Sequence, residues 1–468
     1  MSAADLLFRP VSELSRLVRE RKLTSVELTG ACLDRIGMLD PTLHAFVTVM
    51  TEPALDEARR ADREIAAGKV RGPLHGIPYG AKDLLATRGA PTTWGAKPFQ
   101  NQLFEHDAAV IRRLRDAGAV LLGKLAMMEL AGGLGYNTGA ASLTGAARNP
   151  WDTSRWTCGS SSGAGAAVSS AMVPFAIGSE TWGSIVCPSA FCGISGLRPT
   201  FGRVSRQGAM ALSWSLDKIG PMARSARDCE LVYRAIAGHD PDDPYSADQP
   251  KGPESDPATA RNLKVGFLRL DFSKTGNPEV GRVFHHALMA LGRAGLRCEE
   301  VTLPDLPFAA ATVAILSGEV GTAFEEIERD GRVRELVTQD AVVSMVAARA
   351  LRATDFVKAQ RVRTVCMRAV ADLFANWDVI LYPAEMHTAF GAEEDFSKIA
   401  WSDPAGAAGN LCGLPALSVP CGFADDGLPV GLGIMAGAFE EAKALSVGRF
   451  YQRITDWHQQ QPPIAPAA

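Results

Sequence analysis

The sequence predicts an α/β protein whose sheet is largely buried between helices. VIRRLRDAG (110–118) has the pattern of a helix that ends at a glycine, and the apolar AVLLG (119–123) follows it as a short strand. The alternation returns in LKVGFL (263–268), PEVGRVFHHALMALGRAG (278–295) and LRCEEVTL (296–303), and DVILYP (378–383) is a further apolar strand. Strands that alternate with helices are typical of α/β layer structures.

Two helices are predicted near the N-terminus. Aliphatic residues recur at helical spacing over residues 11–20, at Val11, Leu14, Leu17 and Val18. Thr24 and Glu27 have the spacing of a capping box, which predicts a second helix from residue 25. An arginine and a proline interrupt the first apolar patch, so it does not resemble a secretory signal, and no run approaches eighteen apolar residues. We therefore expect a cytoplasmic protein without a membrane partner.

The composition is that of an ordinary globular protein. The chain has 468 residues, of which 47% are hydrophobic and 21% charged, and its formal net charge is −4. Because it carries neither a net positive charge nor a block of like charges, we expect no nucleic-acid partner.

The cysteines give no metal or disulfide pattern. There are nine of them, and none forms a CxxC pair. Neither a zinc site nor a disulfide framework is therefore indicated. We expect reduced, mostly buried thiols at Cys32, Cys158, Cys187, Cys192, Cys229, Cys298, Cys366, Cys412 and Cys421.

The clearest break in the chain is GHDPDDPYSADQPKGPESDP (238–257), which is dense in Pro, Asp, Gly and Ser. Such a segment either joins two lobes or forms a long surface loop. The sequence leaves both possibilities open.

Two familiar motifs are nearly matched, and neither fits its context. Residues 118–124 have the spacing of a phosphate-binding loop, but Leu125 stands where Ser or Thr would bind magnesium, and the middle is an apolar strand. GSSSG (159–163) satisfies the G-x-S-x-G pattern of a nucleophile elbow. The preceding RWTC is a poor strand, however, and no downstream histidine carries a clear signature.

Three other segments together carry a recognisable chemistry, and they read GIPYGAKD (76–83), CGSSSGAG (158–165) and ETWGSIVCP (180–188). They resemble the amidase signature family, where the segments are GIP-x-x-x-KD, GGSSGG and DTGGSIR. Ser160 precedes Ser184 by 24 positions, as the two active-site serines do in that family. RNPWD (148–152), AFCGISGLRPTFGRVS (190–205), LDKIGPMARSARD (216–228) and LPALSVPCGFADDGLPVGL (414–432) extend the resemblance.

The resemblance implies a Ser–cis-Ser–Lys triad. Serine is a poor nucleophile until a base takes its proton, and a lysine whose pKa is lowered by burial can be that base. On this chain Ser184 would be the nucleophile, Ser160 the relay that follows a cis peptide bond, and Lys82 the base. Ser161 and Ser162 would be structural.

The resemblance also implies the surroundings of the triad. The fold would be α/β, with one large mixed central β-sheet surrounded by helices. The backbone N–H groups of Thr181, Trp182, Gly183 and Ser184 would form the oxyanion hole. No cofactor and no metal ion would be required.

Three positions in the third segment depart from the family pattern. Glu180 replaces an Asp, Trp182 a Gly and Val186 an Arg. In the glutaminase-like members that Arg helps to hold the substrate carboxylate, so Val186 favours an apolar or aromatic amide. A Trp in the oxyanion turn requires a negative φ.

The stretch AMMELAGGLGYNTGA (126–140) could line the acyl pocket, through Met128, Gly132, Gly133 and Tyr136. Ordinary core packing explains Met127 and Met128 equally well.

We expect one domain over residues 1–468. Its parts would be an N-terminal helical segment (1–70), a catalytic core with the signature (71–245), a variable substrate-entrance region (246–375) and a C-terminal part of the core (376–468). The leading hypothesis is a serine amidohydrolase for linear amides, including aryl amides, that could extend to carbamates (a urethanase activity) and esters. Its partners would be a small-molecule amide and a second copy in a homodimer. The alternatives are the glutaminase component of a glutamyl- or aspartyl-tRNA amidotransferase and an inactive scaffold.

Overall fold

The computed structural model describes residues 3–273, 275–338 and 341–464. The strands in this part are β1 (Phe46–Val49), β2 (Pro78–Lys82), β3 (Val120–Leu125), β4 (Arg148–Asn149), β5 (Asp152–Trp156), β6 (Phe175–Glu180), β7 (Ser195–Arg198), β8 (Lys218–Ala223), β9 (Val265–Leu268), β10 (Cys298–Val301), β11 (Val379–Pro383), β12 (Ala416–Phe423) and β13 (Pro429–Ala436).

The α-helices of the same part alternate with these strands. They are α1 (Ala3–Leu7), α2 (Val11–Arg19), α3 (Ser25–Leu43), α4 (Thr51–Ala66), α5 (Ala109–Asp116), α6 (Ser162–Ser169), α7 (Val186–Phe191), α8 (Ala226–Ile236), α9 (Pro278–Arg293), α10 (Phe308–Ala323), α11 (Glu325–Arg329), α12 (Ala341–Arg349), α13 (Ala353–Asn376), α14 (Pro404–Leu411) and α15 (Glu441–Ile454).

Eleven of the described strands form one mixed sheet in the order β1-β3-β2-β6-β8-β7-β12-β13-β11-β9-β10. β2 runs parallel to both β3 and β6, and β9 runs parallel to both β10 and β11. The other neighbours in the sheet are antiparallel. The large mixed central sheet that the resemblance implies is thereby confirmed. β4 and β5 form a separate two-stranded ribbon.

The segment 238–257 connects two parts of this one sheet. β8 precedes it and β9 follows it, and both belong to the eleven-stranded sheet. Most of its residues are exposed. It is therefore a long surface loop rather than a link between two separate sheets.

The strands predicted from apolar runs are buried along their whole length. In β2, β3, β6, β8, β11 and β13 every residue is buried. Helices cover both faces of such strands, so their side chains on both faces must be apolar or paired.

The predicted N-terminal helices are α2 and α3. In α2, Val11, Leu14 and Val18 are buried, whereas Leu17 is only half-buried. Before α3, Thr24 Oγ1 accepts a hydrogen bond from the Glu27 N–H at 3.0 Å, and the Thr24 N–H donates to Glu27 Oε2 at 2.8 Å, which completes the predicted capping box. No helix in the described residues has the length and apolar character that a membrane crossing requires.

Helix α6 packs unusually close to its neighbours because its residues are small. All eight of its residues, SGAGAAVS, are buried. A Cβ atom on Gly163 would lie 2.2 Å from the carbonyl oxygen of Ala45 and 2.5 Å from the amide nitrogen of Ala126. Only glycine allows this approach, which fixes the loop that immediately precedes α6.

Candidate active site

Lys82 is the last residue of β2, and it is fully buried. Because β2 and β6 run parallel, with Ala81 opposite Ile177, the residues just beyond these two positions lie at the same edge of the sheet. Lys82 Nζ accordingly donates hydrogen bonds to Ser160 Oγ at 2.7 Å and to Ser179 Oγ at 3.0 Å. The lysine is thus held between the end of β6 and the Ser160 loop.

The surroundings of Lys82 favour its uncharged form. Burial lowers its pKa to about 7, against the opposing effect of the charges on Asp217 and Glu180. A lysine with this pKa is unprotonated in a large fraction of molecules at neutral pH. It can therefore accept a proton there, which a solvated lysine cannot.

Ser160 lies in the loop between β5 and α6, and the Gly159–Ser160 peptide bond is cis. Ser161 Oγ and Ser162 Oγ each donate to a backbone carbonyl, at 3.1 and 3.4 Å. Within the described part of the chain, Ser160 is therefore the member of the serine run that contacts Lys82.

Ser184 lies in the turn that connects β6 to α7, and 8% of it is exposed. Gly183 has a φ of 81°, the left-handed conformation that glycine adopts without strain, whereas Trp182 has a negative φ. The Cys187 N–H closes the turn by donating to the Gly183 carbonyl at 2.8 Å. Among the described residues, the N–H groups of Trp182, Gly183 and Ser184 find no backbone carbonyl to bond. They are therefore free to donate to a bound oxyanion.

Thr181, at the start of this turn, is anchored by its side chain and its carbonyl. Its hydroxyl donates to Asp217 Oδ1 at 2.6 Å, and its carbonyl accepts from Lys218 Nζ at 3.2 Å. The structure brings Lys82 and Ser160 into direct contact, but the Ser184 hydroxyl forms no hydrogen bond in the described part of the chain. Catalytic hydrogen bonds are often completed only when substrate binds.

Glu180 fixes the far side of the Ser184 turn. Its Oε2 accepts hydrogen bonds from the N–H groups of Ile185 at 2.9 Å and Val186 at 3.0 Å, and its Oε1 lies 2.7 Å from the Arg198 guanidinium. Burial alone would raise the pKa of Glu180, but the charges of Arg198 and Lys218 and these hydrogen bonds lower it to about 2. The replacement of the usual Asp by Glu therefore leaves an ionised carboxylate that holds the start of α7.

Cys158 and Cys187 form a disulfide, so the expectation of reduced thiols was wrong for this pair. Their Cα atoms are 6.1 Å apart, and 29 positions separate them in the sequence, a spacing that belongs to no common disulfide or metal motif. The other seven cysteines are free, and all but Cys298 are buried.

A cavity of about 290 Å³ opens beside the Ser160 loop and the Ser184 turn, and its lining residues are Tyr136, Cys158, Gly159, Trp182, Gly183, Cys187, Glu385, Trp401 and Asp403. Trp182 Nε1 donates to Asp403 Oδ2 at 2.9 Å, and Trp401 Nε1 donates to Glu385 Oε2 at 3.2 Å. The wall thus combines aromatic rings with two carboxyl groups, and none of its lining residues is basic.

The two carboxyl groups are hard to ionise. Burial and the charge of Asp403 raise the pKa of Glu385 well above its usual range. Burial also raises the pKa of Asp403, although the Gly406 N–H and Trp182 donate hydrogen bonds to it. Ionisation of this pair gives the cavity a negative charge as the pH rises.

The model of the amidase family matches residues 27–445 of the chain. The chain belongs to the amidase signature family. Its relatives include the glutaminase component, named with the letter A, of the glutamyl-tRNA(Gln) amidotransferase of Chloroflexus aggregans, which is 38% identical over 490 residues that cover 99% of this chain and 100% of that protein. The crystal structure of the peptide amidase of Stenotrophomonas maltophilia matches with a TM-score of 0.86 and 32% identity, over 97% of this chain and 98% of that one.

A bacterial aryl acylamidase of the amidase signature family is similar in fold, with a TM-score of 0.88 over 98% of this chain and 99% of that one. Its sequence identity is 23%, so this likeness concerns the fold alone.

The predicted pocket residues of this amidase signature chain divide into two groups. Tyr136 lines the cavity, and Met128 is buried directly behind Gly159. Gly132 lies against the Tyr136 ring, and Gly133 lies against other apolar side chains, and neither lines the cavity.

Four residues of the site were not predicted: Ser179, Glu385, Trp401 and Asp403. Ser179 had a detectable signal, because it lies near the end of a strand that runs parallel to the lysine strand. Asp403 had one as well, since an Asp before a Pro is typical of a helix N-terminus, and Asp403 caps α14 through the Gly406 N–H at 2.7 Å. Glu385 and Trp401 follow no motif.

The lysine of the near-match to a phosphate-binding loop is a structural one. Lys124 is fully buried in β3, and its Nζ lies 3.1 Å from Asp83 Oδ1. It also donates to the Leu85 carbonyl at 2.9 Å and to Thr92 Oγ1 at 2.6 Å. All its donors are used within the core.

Proposed function

We propose that this chain is a serine amidohydrolase that cleaves linear C–N amide bonds through an acyl-enzyme on Ser184. The observation that carries the proposal is the contact between the buried Lys82 and Ser160, beside a turn with free N–H groups. Neutral Lys82 takes the Ser160 proton while Ser160 takes the proton of Ser184. The Ser184 oxygen then attacks the amide carbonyl.

The turn and the lysine complete the reaction. The free N–H groups of Trp182, Gly183 and Ser184 donate to the oxyanion, and each such donor is worth about 3–4 kcal/mol of transition-state stabilisation. Lys82 returns its proton through Ser160 to the leaving nitrogen as the C–N bond breaks. Water, deprotonated by the same relay, hydrolyses the ester on Ser184 and releases the acid.

The cavity supports substrates whose acyl part is aromatic or apolar and carries no negative charge. Its rings, Trp182, Trp401 and Tyr136, provide apolar surface, and its carboxyl groups repel anions. Carbamates and esters present a carbonyl that is open to the same attack and are further candidate substrates. A homodimer and a cytoplasmic location stay predictions.

The second candidate function is that of the glutaminase component of a tRNA-dependent amidotransferase, with glutamine as the amide. The 38% identity over the whole length of such a protein favours it. The acidic cavity and Val186 oppose it, because no basic residue among those lining the cavity would hold the carboxylate of glutamine. We therefore place it second.

Covalent labelling tests the proposal. The purified chain is treated with phenylmethylsulfonyl fluoride, the adduct is located by mass spectrometry, and turnover of a neutral anilide and of glutamine is measured. We expect the adduct on Ser184 and anilide turnover, both lost in Ser184→Ala and Ser160→Ala and both kept in the matched control Ser162→Ala. An adduct on Ser161, or turnover of glutamine but not of the anilide, would contradict it.

A further inference from the structure

The disulfide joins the two loops that carry the active-site serines. Cys158 lies two residues before Ser160, and Cys187 lies three residues after Ser184. The Ser160 loop follows β5 of the small ribbon, whereas the Ser184 turn follows β6 of the central sheet. No strand pairing joins these two starting points, so the S–S bond is a direct covalent link between the loops.

The backbone at Cys158 gives a second reason to assign the link a role. Its φ is 65°, a left-handed conformation that glycine adopts freely and other residues do not. Glycine is the usual residue of the family at this position. The chain therefore carries a strained residue here in place of an unstrained one, and a glycine could not form the bond to Cys187.

We propose that the Cys158–Cys187 disulfide positions Ser160 against Ser184, and that its reduction slows acylation of Ser184. This inference rests on the proposed function. Loss of the link frees the Ser160 loop and the start of α7 to move independently, and a misplacement of about 1 Å can cost about 10²-fold in rate. The effect falls on kcat rather than KM, because the cavity wall itself stays in place.

Reduction must take place through the cavity. Cys158 is 1% exposed and Cys187 is 3% exposed, and both line it. One thiolate of a dithiol attacks one sulfur, the S–S bond breaks, and a mixed disulfide forms. The second thiol of the reagent then displaces the protein thiol, so the reagent leaves as a cyclic disulfide and the protein gains two thiols. A group bound on Ser184 fills the same space and should block this attack.

The test compares the oxidised enzyme with the enzyme treated with dithiothreitol, after peptide mapping has established the 158–187 bond. We expect reduction to lower kcat for a neutral anilide by about tenfold or more, with KM changed less than about twofold. The double variant Cys158→Gly/Cys187→Ala should show the same low kcat and no response to dithiothreitol. Cys192→Ala, which removes a free buried thiol nearby, should respond as the wild type does.

Two further measurements do not depend on turnover. Amide hydrogen exchange in residues 157–163 and 181–188 should rise on reduction, while exchange in the central strands stays unchanged. Enzyme sulfonylated on Ser184 should be reduced at least several times more slowly than free enzyme. Equal exchange in the two redox states, unchanged kcat, or a double variant that still responds to dithiothreitol would each overturn the inference. Absence of any Ser184 adduct in the oxidised enzyme would instead overturn the proposed function, and the exchange result would still decide the positioning role.

Discussion

Lys82 Nζ donates a 2.7 Å hydrogen bond to Ser160 Oγ, and neither residue is more than 1% exposed. A protonated lysine in this place would need compensation for its lost hydration, and among the described residues it forms no ion pair. The pair is therefore suited to a neutral amine that accepts a proton only during the reaction. Two predictions depend on this relationship.

The first concerns the pH dependence of activity. Because the pKa of Lys82 is lowered to about 7, kcat/KM for a neutral anilide should rise about tenfold per pH unit below that value and level off above it. The pH–rate profile of the wild type checks this. Lys82→Met should lose most of the activity at every pH, and a wild-type profile that falls as pH rises through neutrality would contradict the assignment of the base.

The second concerns stability. The folded-state pKa of Lys82, about 7, lies below its ordinary value of 10.5, so between these values the unfolded chain binds more protons than the folded one. The contribution of Lys82 to stability therefore increases as pH rises through this window. The difference in Tm between Lys82→Met and the wild type should become smaller or more negative from pH 7 towards pH 10, as thermal unfolding at several pH values would show. A difference that grows in favour of the variant would refute the lowered pKa.

The third prediction concerns Glu180. Arg198→Met removes the cation that lies 2.7 Å from its carboxylate, and both side chains are buried. Breaking such a pair leaves an uncompensated charge, so we expect a loss of about 3–5 kcal/mol in the free energy of unfolding. Urea denaturation measures it. Arg352→Met, which breaks the exposed pair with Asp355, is the matched control and should cost less than about 1 kcal/mol.

The sequence predicted what depends on local patterns. The apolar runs, the capping box at Thr24 and the segments around Lys82, Ser160 and Ser184 are each contained in a few consecutive residues. The mixed sheet and the catalytic roles came from the resemblance, because strand order cannot be read from local periodicity.

What the sequence did not predict depends on contacts between distant segments. Glu385 and Asp403 reach the site from about 200 positions or more after Ser184, and their environment is created only when β11 and α14 pack beside the Ser184 turn. The Cys158–Cys187 bond was missed for the same reason. No spacing rule covers it, and its partners meet because α7 folds back towards the Ser160 loop.

The fourth prediction concerns the charge of the cavity. Ionisation of Glu385 and Asp403 should reject an anionic acyl group, and because the pKa of both carboxyls is raised, the rejection should strengthen as pH rises. The measurement is the ratio of kcat/KM for 4-nitroacetanilide to that for glutaryl 4-nitroanilide. At about pH 8, Glu385→Gln should lower this ratio about tenfold, the effect of roughly 1.4 kcal/mol of charge repulsion. Glu393→Gln, at an exposed carboxylate paired with Arg148, is the control and should leave the ratio unchanged. If the ratio in Glu385→Gln equals that of the wild type at every pH, the carboxyl pair does not set the charge preference, and the glutaminase candidate regains its standing.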